Sequence, residues 1–455
     1  MFADASLLRQ MRSVHAEELL LPLLVQLVLV IAAARLFGCL ARRVGQPAVV
    51  GEILAGLLLG PSVLGRVSPQ LFRLVFRPTV ADLPPDASDL MLHTVLTALS
   101  QVGLILILFL VGLEFDFGHL KYRGKSALAI SLAGVALPFA LGLGLGAATH
   151  DAVAAQVPYL GFVLFLGTAM GITAIPVLGR MMVEWGITRT SLAAVTISAA
   201  AVDDACGWIL LAAVAAAARS AFHPGQTAMM IGATIAFTAL LVFARPLLSR
   251  FGRAALRGDG ELGLNSLTVL LVLVFVCAAV TNVIGIFAVF GAFLLGAVLS
   301  GEGALRDAVQ RRLRDFVTGF FLPIFFAYTG LRTDIGTLES WPLWGLAAAV
   351  SLTATVGKFG GCALAGWLSG LRPREAACVG AMMNTRGLME LVVVNVGKDL
   401  GVIPDSVFCM LVLMALATTF LTTPLLIWLG RGTELEPCLR ASGFLGRVPT
   451  AARPD

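Results

Sequence analysis

The sequence predicts an all-α polytopic membrane protein of about thirteen transmembrane helices. Three observations predict it. First, 58% of the residues are hydrophobic and only 13% charged, with a mean hydropathy of +0.93, whereas soluble domains are about 25% charged. Second, apolar stretches of about 20 residues, the length a bilayer demands, recur along the whole chain. Third, the basic residues between those stretches alternate between rich and poor loops.

The spans follow in order. "ELLLPLLVQLVLVIAAARLFG" opens the first, over 18–38. It follows acidic residues, is long for a secretory signal, and more spans come after it. The next are 47–65, 95–115, 126–147, 159–183, 190–218 and 226–247. The last six are 262–285, 286–301, 315–332, 341–369, 374–397 and 405–430. The second and ninth are short, and the eighth and ninth divide near Ile284 and Gly285.

Loop charge sets the direction. With the N-terminus outside, the inner side collects Arg42, Arg43, Lys121, Arg123, Arg189, Arg250, Arg257, Arg311, Arg374, Arg447, Arg453 and their neighbours. The outer side holds Arg9, Arg12, Arg66, Arg73, Arg77, Arg219, Arg332 and Lys398. The bias is roughly three to one towards the inside, as the positive-inside rule expects. The expected orientation is N-terminus outside and C-terminus cytoplasmic. The net charge of +5 belongs to these loops and does not point to nucleic acid. Seven cysteines lie scattered, with no CxxC pair, so neither a disulfide framework nor a zinc site is expected. No cofactor is called for.

Within the spans the charges are few: Glu52, Asp203, Asp204, Lys358, Arg386 and Glu390, with Glu114 at a span end. Each is expensive there, roughly 2.5–3.5 kcal/mol at a helix centre on insertion scales. Asp203 and Asp204 are adjacent in "ISAAAVDDACGWILLA", with no positive charge nearby in sequence. Successive helical residues diverge by about 100°, so both acids cannot face one partner. One could pair with Lys358 while the other faces a water-filled cavity. A structural ion-pair cluster is the plainer reading. Two acids for one lysine favour the alternative, a carboxylate that holds a cation or a proton by turns.

The fifth span, "YLGFVLFLGTAMGITAIPVLGRMMVEWG", carries Gly171, Thr173 and Pro176 near its middle. Proline removes a helical hydrogen bond and glycine weakens the turn. The twelfth, "EAACVGAMMNTRGLMELVVVNVG", is interrupted by Asn384, Thr385, Arg386 and Gly387. Numbered as six spans, a linker and six more, both are fifth in their half. Freed backbone at membrane depth must be buried or line a cavity, and interrupted helices at matched positions point to a transporter site. Chance glycines and prolines, common in membrane helices, are the plain alternative.

An ordered set of segments resembles the monovalent cation:proton antiporter family, the sodium/proton and potassium/proton exchangers. They run from about residue 19 to 430: "QPAVVGEILAGLLLGPSVLG", "VGLILILFLVGLEFD", the Thr173–Pro176 break, Asp203 and Asp204, "FGAFLLGAVLSGEGALRDAV", "FFLPIFFAYTGLRTDIGTL", "VGKFGG" and "NTRGLMELVVVNVGKDLGVI". The resemblance implies a sodium/proton antiporter-like fold: about thirteen transmembrane helices in two inverted repeats, with two broken crossing helices, spans five and twelve. Helices of 18–115 and 262–332 would form a scaffold that makes a homodimer. Those of 126–218 and 341–430 would form an ion-translocating core, with 226–247 as linker and 431–455 as a short, loose tail without a regulatory domain. It also implies that Asp204 binds cation and proton alternately and that Asp203 pairs with Lys358. The Asp-Asp pair resembles electrogenic members, while "NTRGLMEL" resembles potassium-linked and plant-type ones. "GIFAVFGAF" departs from a frequent histidine pattern at Phe287.

The expected function is therefore secondary antiport of protons against Na+ or K+ by alternating access, without catalysis, in the plasma membrane. Thr173 and backbone carbonyls near the breaks would complete an oxygen shell for the cation beside Asp204. Pro176, Asn384, Thr385, Arg386 and Glu390 would support the crossing. A cation channel using the same acids is the alternative, although no filter-like repeat is visible. An intramembrane aspartyl protease would need acids that converge from separate helices, and a purely structural or sensory role would not need Asp204.

Overall fold

The computed structural model describes residues 16–78, 85–114, 124–173, 175–188, 190–219, 224–256 and 261–441. Arg9, Arg12, Lys121, Arg123, Arg189, Arg257, Arg447 and Arg453, which bear on the orientation, lie outside the described residues. So do the tail residues 442–455.

Long apolar runs form helices because only a helix satisfies its own backbone within lipid. In chain order these are α1 (Ala16–Arg43), α2 (Ala48–Leu59), α3 (Pro85–Glu114), α4 (Gly124–Val153), α5a (Tyr159–Gly171), α5b (Ile175–Glu184) and α6 (Ser191–Arg219). There follow α7 (Pro224–Ala255), α8 (Leu264–Ile284), α9 (Ala288–Leu299), α10a (Gly303–Phe316) and α10b (Leu322–Leu331). The last are α11 (Trp341–Leu368), α12a (Pro373–Met383), α12b (Leu388–Asp399), α13 (Asp405–Leu429) and the short α14 (Glu436–Ala441). Among the described residues the only β-pairing is an isolated bridge between Leu256 and Leu262.

By length and hydropathy ten helices among the described residues can cross a membrane, eleven if the bent pair α12a–α12b is one span. The two expected spans left over coincide with α5a and α9, apolar helices too short to cross on their own. The division of spans eight and nine falls where expected. Gly285 ends α8 at φ 102°, a left-handed conformation that glycine adopts without steric cost.

Two boundaries differ from expectation. α3 begins at Pro85 rather than near 95. α10a lies where a basic loop was expected. It buries Leu305, Ala308, Val309 and Leu313, a helical stripe that its arginines hide in a hydropathy scan, and it runs through a π turn at Val317–Phe321 into α10b.

The helices pack in two sets. α1 lies on α2, α2 on α10b, α3 on α9 and α8 on α9. In the other set α4 packs on α5a, α6 and α11, and α11 on α12a and α13. α7 touches both α6 and α9. Its outward side chains, such as Phe243 and Leu247, are exposed, as is fitting for a lipid-facing helix. α12b is the opposite extreme: every residue from Leu388 to Gly397 is buried.

The chain after α13 folds back. Glu434 accepts hydrogen bonds from the Leu192 amide and the Ser191 hydroxyl at the start of α6. The tail expected to be loose is thus partly a cap on the acid-bearing helix.

Candidate functional site

The site is built where α5 and α12 are interrupted. α5a ends at Gly171, and Ile172 is extended (φ −95°, ψ 145°). Pro176 is the second residue of α5b, a position where its missing N–H is no loss; its side chain lies outside the described residues. α12a ends at Met383, and α12b starts at Leu388 after a bend of 44°. The two interruptions touch: the Thr173 hydroxyl donates to the Met383 carbonyl at 3.0 Å.

The end of α5a is a concentration of negative potential. A helix leaves its last four carbonyls unpaired, and they carry the negative end of its dipole. Here four consecutive carbonyls receive two cations from two other helices. Arg386 Nη1 donates to Ala169 at 2.8 Å and to Ile172 at 3.4 Å, and its Nη2 donates to Met170 at 2.7 Å. Lys358 Nζ, on α11, donates to the Gly171 carbonyl at 2.6 Å.

The same lysine reaches the acid pair. Lys358 Nζ lies 2.6 Å from Asp203 Oδ2 on α6, and both side chains are 0% exposed. Asp204 is also buried and sits one residue on, turned by about 100° along the helix. The pairing anticipated for Lys358 is therefore made by Asp203. Gly134 of α4 makes room beside it: a Cβ there would collide with Cys362 Sγ, while standing in ordinary contact, 3.9 Å, with Lys358 Nζ.

Arg386 and Glu390 form a second buried pair, Nη1 to Oε2 at 3.7 Å. Glu390 sits in the first turn of α12b, where an acid meets the positive end of the dipole. Asn384 is fully buried, and neither of its side-chain polar atoms has a hydrogen-bond partner among the described residues. Thr385 turns back onto the Met382 carbonyl at 2.8 Å. Glu52 is buried on α2, which packs mainly on α1 and α10b rather than on these helices.

Sequence reasoning missed α13's part. Thr419 Oγ1 accepts from the Arg386 amide at 2.9 Å and donates to the Arg386 carbonyl at 2.7 Å. Thr422 donates to the Ala381 carbonyl at 3.3 Å. These hydroxyls satisfy backbone released by the break, which must be met internally at this depth. The signal was present: "TTFLTT" places four threonines on one apolar helix.

What the arrangement can do chemically is hold a hard cation. It gathers buried carboxylate, hydroxyl and amide oxygen around two helix breaks, and hard cations favour oxygen. Buried charge that is not merely structural marks an ion or proton path.

Comparison with known proteins places the chain in a family and gives its fold a counterpart. Residues 28–430 match the family described as sodium/hydrogen exchanger, transmembrane. The chain is 39% identical over 411 residues to Cation/H(+) antiporter 17 of Arabidopsis thaliana, over 90% of this chain and 48% of that protein. It is 38% identical over 413 residues to Na(+)/H(+) antiporter NhaS4 of Synechocystis sp., over 90% of this chain and 97% of that one. The chain thus spans about half the length of the plant relatives it matches. In shape it is similar to the sodium proton antiporter MjNhaP1 of Methanocaldococcus jannaschii, with a TM-score of 0.64 over 89% of this chain and 99% of that one. At 15% identity that likeness speaks to the fold alone.

Proposed function

The chain belongs to the sodium/hydrogen exchanger family, and from that premise we propose that it exchanges protons for a monovalent cation, Na+ or K+, across a membrane. One observation carries this reading. Two interrupted helices meet at their breaks, and Lys358 ties the end of one of them to the paired acids of α6.

In the proposed cycle Asp204 holds either a proton or the cation. Competition for one carboxylate couples the two fluxes without a separate device. Thr173 and the Asn384 amide oxygen supply further oxygen ligands, the carbonyls at the end of α5a being taken by Arg386 and Lys358. Asp203 stays balanced by Lys358, and Arg386 with Glu390 holds the crossing together. Helices of 126–218 and 341–430 move as a core against a scaffold of 18–115 and 262–332, with 226–247 as linker. The two packing sets support that division. The scaffold pairs two copies in the plasma membrane, N-terminus outside and C-terminus inside, as the loop charges favour.

The test is proton flux in proteoliposomes with an imposed pH gradient. Na+, Li+, K+ and Rb+ are added in turn, with Asp204→Asn as control. Cation-triggered proton movement that disappears in the variant is the expected result and names the ion. Voltage-driven cation leak without proton movement would replace the exchanger with a channel.

A further inference from the structure

On the face where α3 begins and α10b and α12b end, two cavities lie one behind the other. The outer has a volume of about 580 Å³ and is lined by Asp89, His93, Lys398 and Asp405 among others. The inner is smaller and narrower, about 20 Å³, and touches Thr97, Ser100, Gln101, Thr329 and Asn395. That is room for about one water-sized occupant. Tyr328 and Arg332 are the residues the two linings share. They are the wall between a wide vestibule and a smaller inner chamber.

The two halves of this wall are held differently. Tyr328 is fixed to α3: its hydroxyl meets Thr97 Oγ1 at 2.7 Å and the His93 ring at 2.8 Å. Both contacts join helices of the first packing set. Arg332, just past the end of α10b, reaches across to α12b. Its Nη2 donates to Asp399 Oδ1 at 2.7 Å and its Nη1 to Asn395 Oδ1 at 3.1 Å. Asn395 in turn donates to Thr329 Oγ1 at 3.1 Å. A guanidinium fork engaging an acid and an amide together is geometrically selective, and its side chain is only 10% exposed. The guanidinium carbon also lies 5.9 Å from the rings of Tyr328 and Phe408.

We propose that Arg332 and Tyr328 close the ion path on this face, and that the bridge from Arg332 to Asp399 and Asn395 is the part that must release for it to open. The proposal rests on the exchanger reading for what passes through, and it adds residues which that reading leaves unused. A wall made half of contacts within one helix set and half of contacts between sets opens when the sets slide. A ligand or variant shifts such an equilibrium only through contacts that differ between its two states. The Arg332 bridge is such a contact, whereas the Tyr328 cluster moves with its own set.

Accessibility tests this without relying on transport. Ser100, 7% exposed, lines the inner chamber, and Ser100→Cys places a nearly isosteric thiol there. The full chain is labelled with a membrane-impermeant thiol reagent from the face that carries Lys398 and Asp405. The chain without the reporter gives the background of its seven native cysteines. Asp399→Asn and Arg332→Gln are each expected to speed labelling of the reporter thiol about tenfold, equivalent to 1.4 kcal/mol. Arg332→Lys, which keeps the charge but not the fork, should fall between. Tyr328→Ala opens the other half of the wall and serves if an Arg332 variant does not fold. Labelling that stays at the parental rate in Asp399→Asn, Arg332→Gln and Tyr328→Ala, all with parental melting behaviour, overturns the proposal. Adding Asp204→Asn separates the two readings: it should abolish exchange yet leave the response to Asp399→Asn intact. If the parent shows no exchange but the labelling responds, the gate stands and the exchanger reading falls.

Discussion

Replacing Arg386 by leucine removes the cation that closes three of the four consecutive carbonyls at the end of α5a, those of Ala169, Met170 and Ile172. The two short bonds, 2.8 Å to Ala169 and 2.7 Å to Met170, are hydrogen bonds to a charged group. Such bonds contribute about 1.5–3 kcal/mol each, so their loss predicts a destabilisation of about 3–6 kcal/mol. Glu390, 1% exposed, would also be left without its buried partner. Breaking one side of a buried pair costs about 3–5 kcal/mol, a range that overlaps the first figure and is not simply added to it. Native proteins hold about 5–15 kcal/mol in reserve, so Arg386→Leu should sharply reduce the yield of folded protein. It should also lower the melting temperature in detergent by many degrees, read by fluorescence-detected size exclusion after heating. Adding Glu390→Gln should return part of the loss, because the stranded acid is neutralised while the carbonyls remain unmet. A single variant that melts with the parent, or a double variant no better than the single, would refute the assignment of Arg386 as the cap of α5a.

Three further outcomes follow from the same geometry. Lys358→Met strands both Asp203 and the Gly171 carbonyl and should destabilise by about 3–5 kcal/mol; Lys358→Met with Asp203→Leu should melt higher than Lys358→Met alone, since no charge is then left unpaired. Gly134→Ala forces a Cβ into Cys362 Sγ and should cost about 1–3 kcal/mol by overpacking; Cys362→Ala should relieve it, and equal melting of the single and double variants would show the clash to be unimportant. Glu434→Ala removes the cap on the first turn of α6, worth about 0.5–2 kcal/mol; amide hydrogen exchange should rise at Leu192 and Ala193 and stay unchanged in α11.

Much of the fold was legible because lipid imposes a length and a composition that hydropathy reads directly. The thirteen expected ranges all fall on helix, although only ten or eleven meet the length and hydropathy of a crossing. α10a escaped notice because an amphipathic helix keeps most of its arginines exposed and offers only Leu305, Ala308, Val309 and Leu313 as a stripe. At the site, the breaks in α5 and α12 were visible as Gly171, Pro176 and Gly387. Glycine and proline act locally, so their effect can be read locally. The choice of Asp203 over Asp204 as the partner of Lys358 was not readable from the spacing, since either could have turned towards it. The destination of Arg386 was also hidden. Its acceptors lie more than 200 positions earlier in the chain, and only the crossing of two helices brings them within reach. Thr419 belongs to the same class: a hydroxyl whose purpose exists only once a break on another helix faces it.

The shared end of α5a has a mechanical consequence. Ala169, Met170, Gly171 and Ile172 are bound by side chains from α11 and α12, and the lysine among them is bound in turn to α6. One residue of helical rise is about 1.5 Å, and a slip of that size would break all of these bonds together. The junction therefore acts as a rivet through four helices. It has no slack to take up strain piecemeal, so a displacement applied to any of α5a, α6, α11 or α12 is passed on to the other three.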